Sequence, residues 1–270
     1  MEMLRRGANP WGQDVLMGIG WDLVWLALVV SVAFVVLHAV WVRVRAPGAG
    51  EAGAPSGSQG ADGGDRVQRH SFAARAFHWI MSLAMFALLV TAFVPVLGIQ
   101  FPWVTIHWIA GLVLLAAVVY HVVHSVVWQD FWSMAFNGRD LREGLAELRH
   151  TMDPKAPPAP RAGKYPADHK LYHHIVVVVT GVAVATGLLM MVRIDTPLWT
   201  RNPYLLSDGV WGVAYVAHGL SGVALIGLVT AHVYFAIRPE KRWITWSMVR
   251  GWITRDRYAA HHDPDRWVVK

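Results

Sequence analysis

Five segments of the chain run for about 20 or more residues with few or no charges, at roughly 16 to 42, 76 to 95, 105 to 128, 171 to 192 and 211 to 237. A helix rising 1.5 Å per residue needs about 20 residues to cross a hydrocarbon layer roughly 30 Å thick, with every backbone polar group satisfied inside the segment. The segments therefore predict an all-α integral membrane protein. Composition agrees, since 55% of the 270 residues are hydrophobic and 16% are charged. The chain has no cysteine, so it carries no disulfide, iron–sulfur cluster or thioether-linked haem of its own.

The basic residues fix an orientation. All of the 24 Lys and Arg except Arg5, Arg6, Arg193 and Arg201 fall after the first span, after the third span or in the tail. Positive charge stays in the cytoplasm, which predicts an outside N-terminus and a cytoplasmic C-terminus in a bacterial inner membrane. The same charges form no continuous basic face, so nucleic acid is not an expected partner.

Residues 46 to 65, "APGAGEAGAPSGSQGADGGD", have almost nothing to bury and read as a flexible linker, extended to 68 in the domain division. The expected organisation is a separable N-terminal transmembrane helix (1–45), the linker (46–68), a four-helix bundle (69–237) and a basic cytoplasmic tail (238–270). The first span is long for a signal peptide and its flanking charges run in the reverse order, so a retained helix is expected. Residues 138 to 150 predict a short amphipathic surface helix. Tryptophans near both span ends match interfacial belts.

Ionisable side chains inside spans are costly and mark function. His218 and His232 lie fourteen residues apart in the last span. Fourteen residues turn a helix to about 40° short of four full turns and advance it about 21 Å, so the two share a face at two depths. His78 opens the second span and His107 the antiparallel third, which matches His78 to the depth of His232 and His107 to that of His218. Two imidazoles per level, from different helices, suit axial ligation of haem b, whereas zinc needs three or four convergent ligands. Gly111 and Gly222, each four residues after an outer histidine, leave room for a macrocycle. His121 also follows His107 by fourteen residues, so spacing alone allows either His78 or His121 as the inner ligand. His124 suits an interfacial position.

From about residue 69 onward the chain resembles the gamma (cytochrome b) subunit of membrane-bound formate dehydrogenases, a group related to the b-type cytochromes of nickel–iron hydrogenases. The resemblance rests on "RAFHW" (75–79), "IHWIAG" (106–111), "KYPADHK" (164–170) and "AHGLSGVALIGLVTAHVYFA" with the tail "MVRGWITRDRYAAHHDPDRW". It implies a dihaem four-helix cytochrome b with one extra N-terminal helix, in which His78 pairs with His232 and His107 with His218, and His121 is a bystander. It further implies an iron–sulfur subunit and a molybdenum or tungsten catalytic subunit as partners. Substrate chemistry would then reside in that catalytic subunit, and electrons would cross to a quinone on the cytoplasmic side. The family's quinone site uses the loop matching "KYPADHK", where Pro166 and Asp168 replace the usual asparagine and glycine. The quinone contacts expected here are Tyr165, Asp168, His169 and Lys170. The basic tail with His261 and His262 matches the family, and a surface for lipid headgroups would look the same.

Overall fold

Gly20 sets how the chain enters the membrane. A side chain there would collide with the backbone carbonyl of Glu2, and the Gly20 amide donates to the Met3 carbonyl at 2.8 Å. The N-terminus is thereby folded back as a hairpin of β1 (Leu4–Ala8) and β2 (Asp14–Ile19) before α1 (Trp21–Arg45) begins. The first span thus starts five residues later than its hydropathy suggested.

The computed structural model describes residues 2–45, 66–153 and 155–269. After α1 follow β3 (Arg66–Gln68), α2 (Phe72–Phe93), α3 (Trp103–Trp128), α4 (Gly138–Met152) and α5 (Ala167–Met191). The chain continues through α6 (Asp208–Ile237), α7 (Arg242–Arg250), β4 (Trp252–Thr254) and α8 (Arg255–His261). Among the described residues, α1, α2, α3, α5 and α6 are long and apolar enough to cross a membrane. Leu83, Phe86 and Val178 leave 65–70% of their surface outward, as suits helices solvated by lipid. The protein is an all-α integral membrane protein, apart from two small two-stranded ladders.

The chain divides into two compact units. The first takes Met1–Ala49, Trp79–Val118 and Val176–Phe235. Its centre is Ala84 and Met85 of α2, Leu114 of α3 and Leu225 of α6, with Val179, Ala183 and Val184 of α5 packed around them. A second cluster joins α1 to α6 through Ile19, Val24 and Ile226. Leu16 and Ile19 seat against Gly212 and Gly219, where a Cβ on either glycine would come within 2.8 Å of them. Lower down, His38 Nδ1 meets the Tyr234 hydroxyl at 2.9 Å. Glycine notches on α6 thus receive β2, and α1 packs on α6 through Val24 and Ile226.

The second unit takes Gly50–His78, Val119–Ile175 and Ala236–Lys270. The expected linker at 46–65 lies outside the described residues, but residues 66–68, assigned to its end, form β3 and pair with β4. The tail is likewise folded: Val67, Ile253 and Tyr258 pack with Trp243, Trp267 and Val269. Helix α4 opens on a capping box in which the Asn137 side chain accepts from Asp140 N and Asp140 Oδ2 accepts from Asn137 N at 2.9 Å. The same Asp140 carboxylate holds Lys170 Nζ at 3.0 and 3.1 Å, both side chains being buried.

Candidate functional site

His107, in the second turn of α3, and His218, in α6, face each other in the first unit with ring centres 6.1 Å apart and planes at 69°. Each ring is fixed through Nδ1. The Thr91 hydroxyl, buried on α2, donates to the Ala87 carbonyl at 2.7 Å and so presents its oxygen to His107 Nδ1 at 2.8 Å. On α5, Thr186 donates to Val182 at 2.6 Å and lies 3.0 Å from His218 Nδ1, which also meets the Ala183 carbonyl at 3.0 Å. With the hydroxyl protons committed to backbone, Nδ1–H is the donor in both contacts and Nε2 keeps its lone pair. An outer partner of this kind is how a metal-ligating histidine is oriented.

The pair fits an axially ligated metal. Two metal–imidazole bonds of roughly 2 Å, plus about 1.1 Å from each nitrogen to its ring centre, place ligated rings roughly 6 Å apart. Gly187 of α5 faces His218, whose Cε1 a Cβ there would meet at 3.2 Å, so the glycine leaves space for the imidazole. At Gly111 and Gly222 an added Cβ would make ordinary contact with Leu88 and Phe93, at 4.0 and 3.5 Å. Among the described residues no group of three or more His, Asp or Glu forms a metal cluster.

The other expected ligands are placed individually. His78 lies in the second turn of α2, in the second unit, and His232 near the end of α6, in the first. His121 stacks on Phe77, with centres 4.2 Å apart and planes at 7°, and lies 6.2 Å from His173 of α5, which is not among the expected ligands. His124 is stacked between Tyr120 and Trp128, at 5.4 and 5.8 Å.

The expected quinone residues disperse. Tyr165 lines a cavity of 690 Å³ in the second unit, and burial pushes its phenol pKa up. Asp168 is exposed, beside His169 at 3.9 Å and Lys241 at 4.0 Å. Lys170 is committed to Asp140 and to the Ala135 carbonyl at 3.2 Å, so its ammonium is not available to a quinone.

Five helices of membrane-spanning length define a polytopic membrane protein, and its His107 and His218 rings stand at the separation two imidazoles on one metal would take. The chain belongs to the prokaryotic cytochrome b561 family, whose model matches residues 69–251. It is a b-type membrane cytochrome related to the cytochromes of hydrogenases, an electron-transfer protein with haem b as its cofactor. A comparison with curated proteins gave no match. Residues 2–45, which build the hairpin and α1, lie outside the family match.

Proposed function

We propose that the protein is the dihaem, membrane-anchoring subunit of a formate-dehydrogenase-like respiratory complex, passing electrons between an iron–sulfur subunit and the quinone pool of an inner membrane. The observation that carries this reading is the His107–His218 pair, 6.1 Å apart with both Nδ1 atoms committed. Bound there, haem b supplies reversible one-electron chemistry at its iron. His107 and His218 would hold the iron, and Thr91 and Thr186 hold the two rings in place for it.

The second haem is assigned to His78 and His232, on the fourteen-residue spacing from His218 and on the resemblance of "RAFHW" and the last span. A second reading is favoured by the His121–His173 pair, whose 6.2 Å separation and 66° angle nearly repeat those of His107 and His218. Quinone exchange is assigned to the loop at Tyr165, Asp168 and His169, with partner subunits on the opposite face. The N-terminus is outside and the tail cytoplasmic, following the distribution of Lys and Arg.

Reduced-minus-oxidised spectra with haem quantitation test both readings on purified full-length protein. Two b haems per chain are expected. Loss of one in His78→Ala, with both kept in His121→Ala and His173→Ala, supports the first assignment. The reverse pattern moves the second haem to His121 and His173, and a single haem in the wild type removes the dihaem reading.

A further inference from the structure

The 690 Å³ cavity of the second unit lies where β3 leads into α2, beside the last turns of α3 and the loop at 164–165. Two cations line it, Arg69 and Lys164. Arg69 is 3% exposed, and among the described residues no carboxylate forms an ion pair with it. Its guanidinium donates through Nη1 to His262 Nε2 at 3.0 Å and through Nη2 to the Lys164 carbonyl at 3.4 Å, while Nε has no partner. The acceptor His262 is neutral: its Nδ1–H is spent on the Gly163 carbonyl at 2.8 Å, which leaves Nε2 as a lone-pair acceptor. Trp243 and Trp267 lie 5.7 and 5.6 Å from the guanidinium carbon and answer the charge only in part.

Among the described residues Lys164 Nζ forms no ion pair, and Asp130, the exposed carboxylate in the lining, acts on it only at longer range. The positive field registers on a neighbour. His70, also in the lining, is pushed down to about 3 by burial and then by the charges of Arg69 and Lys164. A buried guanidinium without a counter-charge is costly, and an anion in the cavity it lines would offset that cost.

We propose that this cavity binds a phosphate group, carried by an anionic membrane lipid or free in solution. Arginine's fork and the lysine ammonium match phosphate oxygens, and Tyr165 adds a hydroxyl in the lining. The cavity is much larger than one phosphate, and its wall includes Tyr120, His124 and Trp128 at the end of a membrane span, where headgroups lie. The inference is independent of how the haems are ligated.

The test uses the full-length protein, wild type, Arg69→Gln and Lys164→Gln. In nanodiscs of phosphatidylglycerol mixed with phosphatidylcholine, native mass spectrometry counts the retained lipids. In lipid-free detergent, inorganic phosphate is titrated against thermal unfolding. Preferential phosphatidylglycerol retention, weakened roughly fivefold by Lys164→Gln and further by Arg69→Gln, identifies a lipid as the source. A rise in unfolding temperature with inorganic phosphate, lost in Lys164→Gln and without lipid preference, identifies free phosphate. Neither effect in the wild type, or either one undiminished in Lys164→Gln, overturns the proposal. Lys164 carries the test if Arg69→Gln fails to fold, because the carbonyl that Arg69 uses belongs to the Lys164 backbone and is kept in Lys164→Gln.

Discussion

His107 faces His218 at 6.1 Å in the first unit, and His121 faces His173 at 6.2 Å in the second, at nearly equal angles. Their surroundings differ. In the first pair each Nδ1 is held by a threonine on a neighbouring helix whose own proton is already spent. In the second, among the described residues, His121 Nδ1 meets Ser125 of its own helix at 3.4 Å, Phe77 lies flat on the ring, and His173 Nδ1 has no hydrogen-bond partner. Ring separation thus does not tell the two pairs apart, whereas the hold on the second nitrogen does.

The largest effect that would sharpen this contrast is loss of a haem. His218→Ala and His107→Ala should each halve the reduced-minus-oxidised absorbance, whereas His173→Ala should leave it intact. Next comes the buried ion pair of the second unit. Lys170→Met strands Asp140 and should cost about 3–5 kcal/mol in denaturant titrations, with most of it recovered in the Lys170→Met/Asp140→Leu double variant. A single-variant cost under about 1 kcal/mol would show that the pair is not structural.

Smaller effects separate the two pairs by their supports. Thr91→Val and Thr186→Val should weaken haem retention roughly 10–100-fold while preserving the fold, and Ser125→Ala should do nothing measurable. Equal losses in all three would erase the distinction. His262 supplies a pH signature within the second unit. Burial, and next the charge of Arg69, hold it at about 4 against an ordinary 6.5, so between those values the unfolded chain binds a proton that the folded chain refuses. Stability should therefore fall as pH drops from about 6.5 towards 4, and His262→Gln should flatten that slope in thermal scans. Smallest of all, His38→Phe should cost about 1 kcal/mol, from the lost contact to Tyr234.

Much of this was legible because the membrane imposes one length and one rule of satisfaction on every span. Hydropathy located α2, α3, α5 and α6 within a few residues, and helical arithmetic put His107 and His218 at one depth. Thr91 and Thr186 were invisible because a threonine bonding its own helix leaves no pattern; only the neighbouring helix shows which hydroxyl oxygen a histidine meets. The commitment of Lys170 was hidden for a similar reason, since its partner Asp140 is thirty residues away in a helix whose charges read as solvated. Hydropathy also ran the first span through Leu16 and Ile19, because a strand packed on glycines is as apolar as a lipid-facing turn.

The β3–β4 ladder has a consequence for synthesis. Arg66–Gln68 leaves the ribosome before α2, whereas its partner Trp252–Thr254 follows α6, so four hydrophobic segments must be inserted before the two strands meet. So distant a pairing forms late, after the local helices. The clasp therefore registers completion: a chain stalled or truncated before residue 252 keeps every span and every histidine of both candidate pairs, yet lacks β4 and the residues that bury Val67 from the far end. Quality-control proteases that probe loose ends would meet an unpaired Arg66–Gln68 strand on unfinished molecules and a paired one on finished molecules.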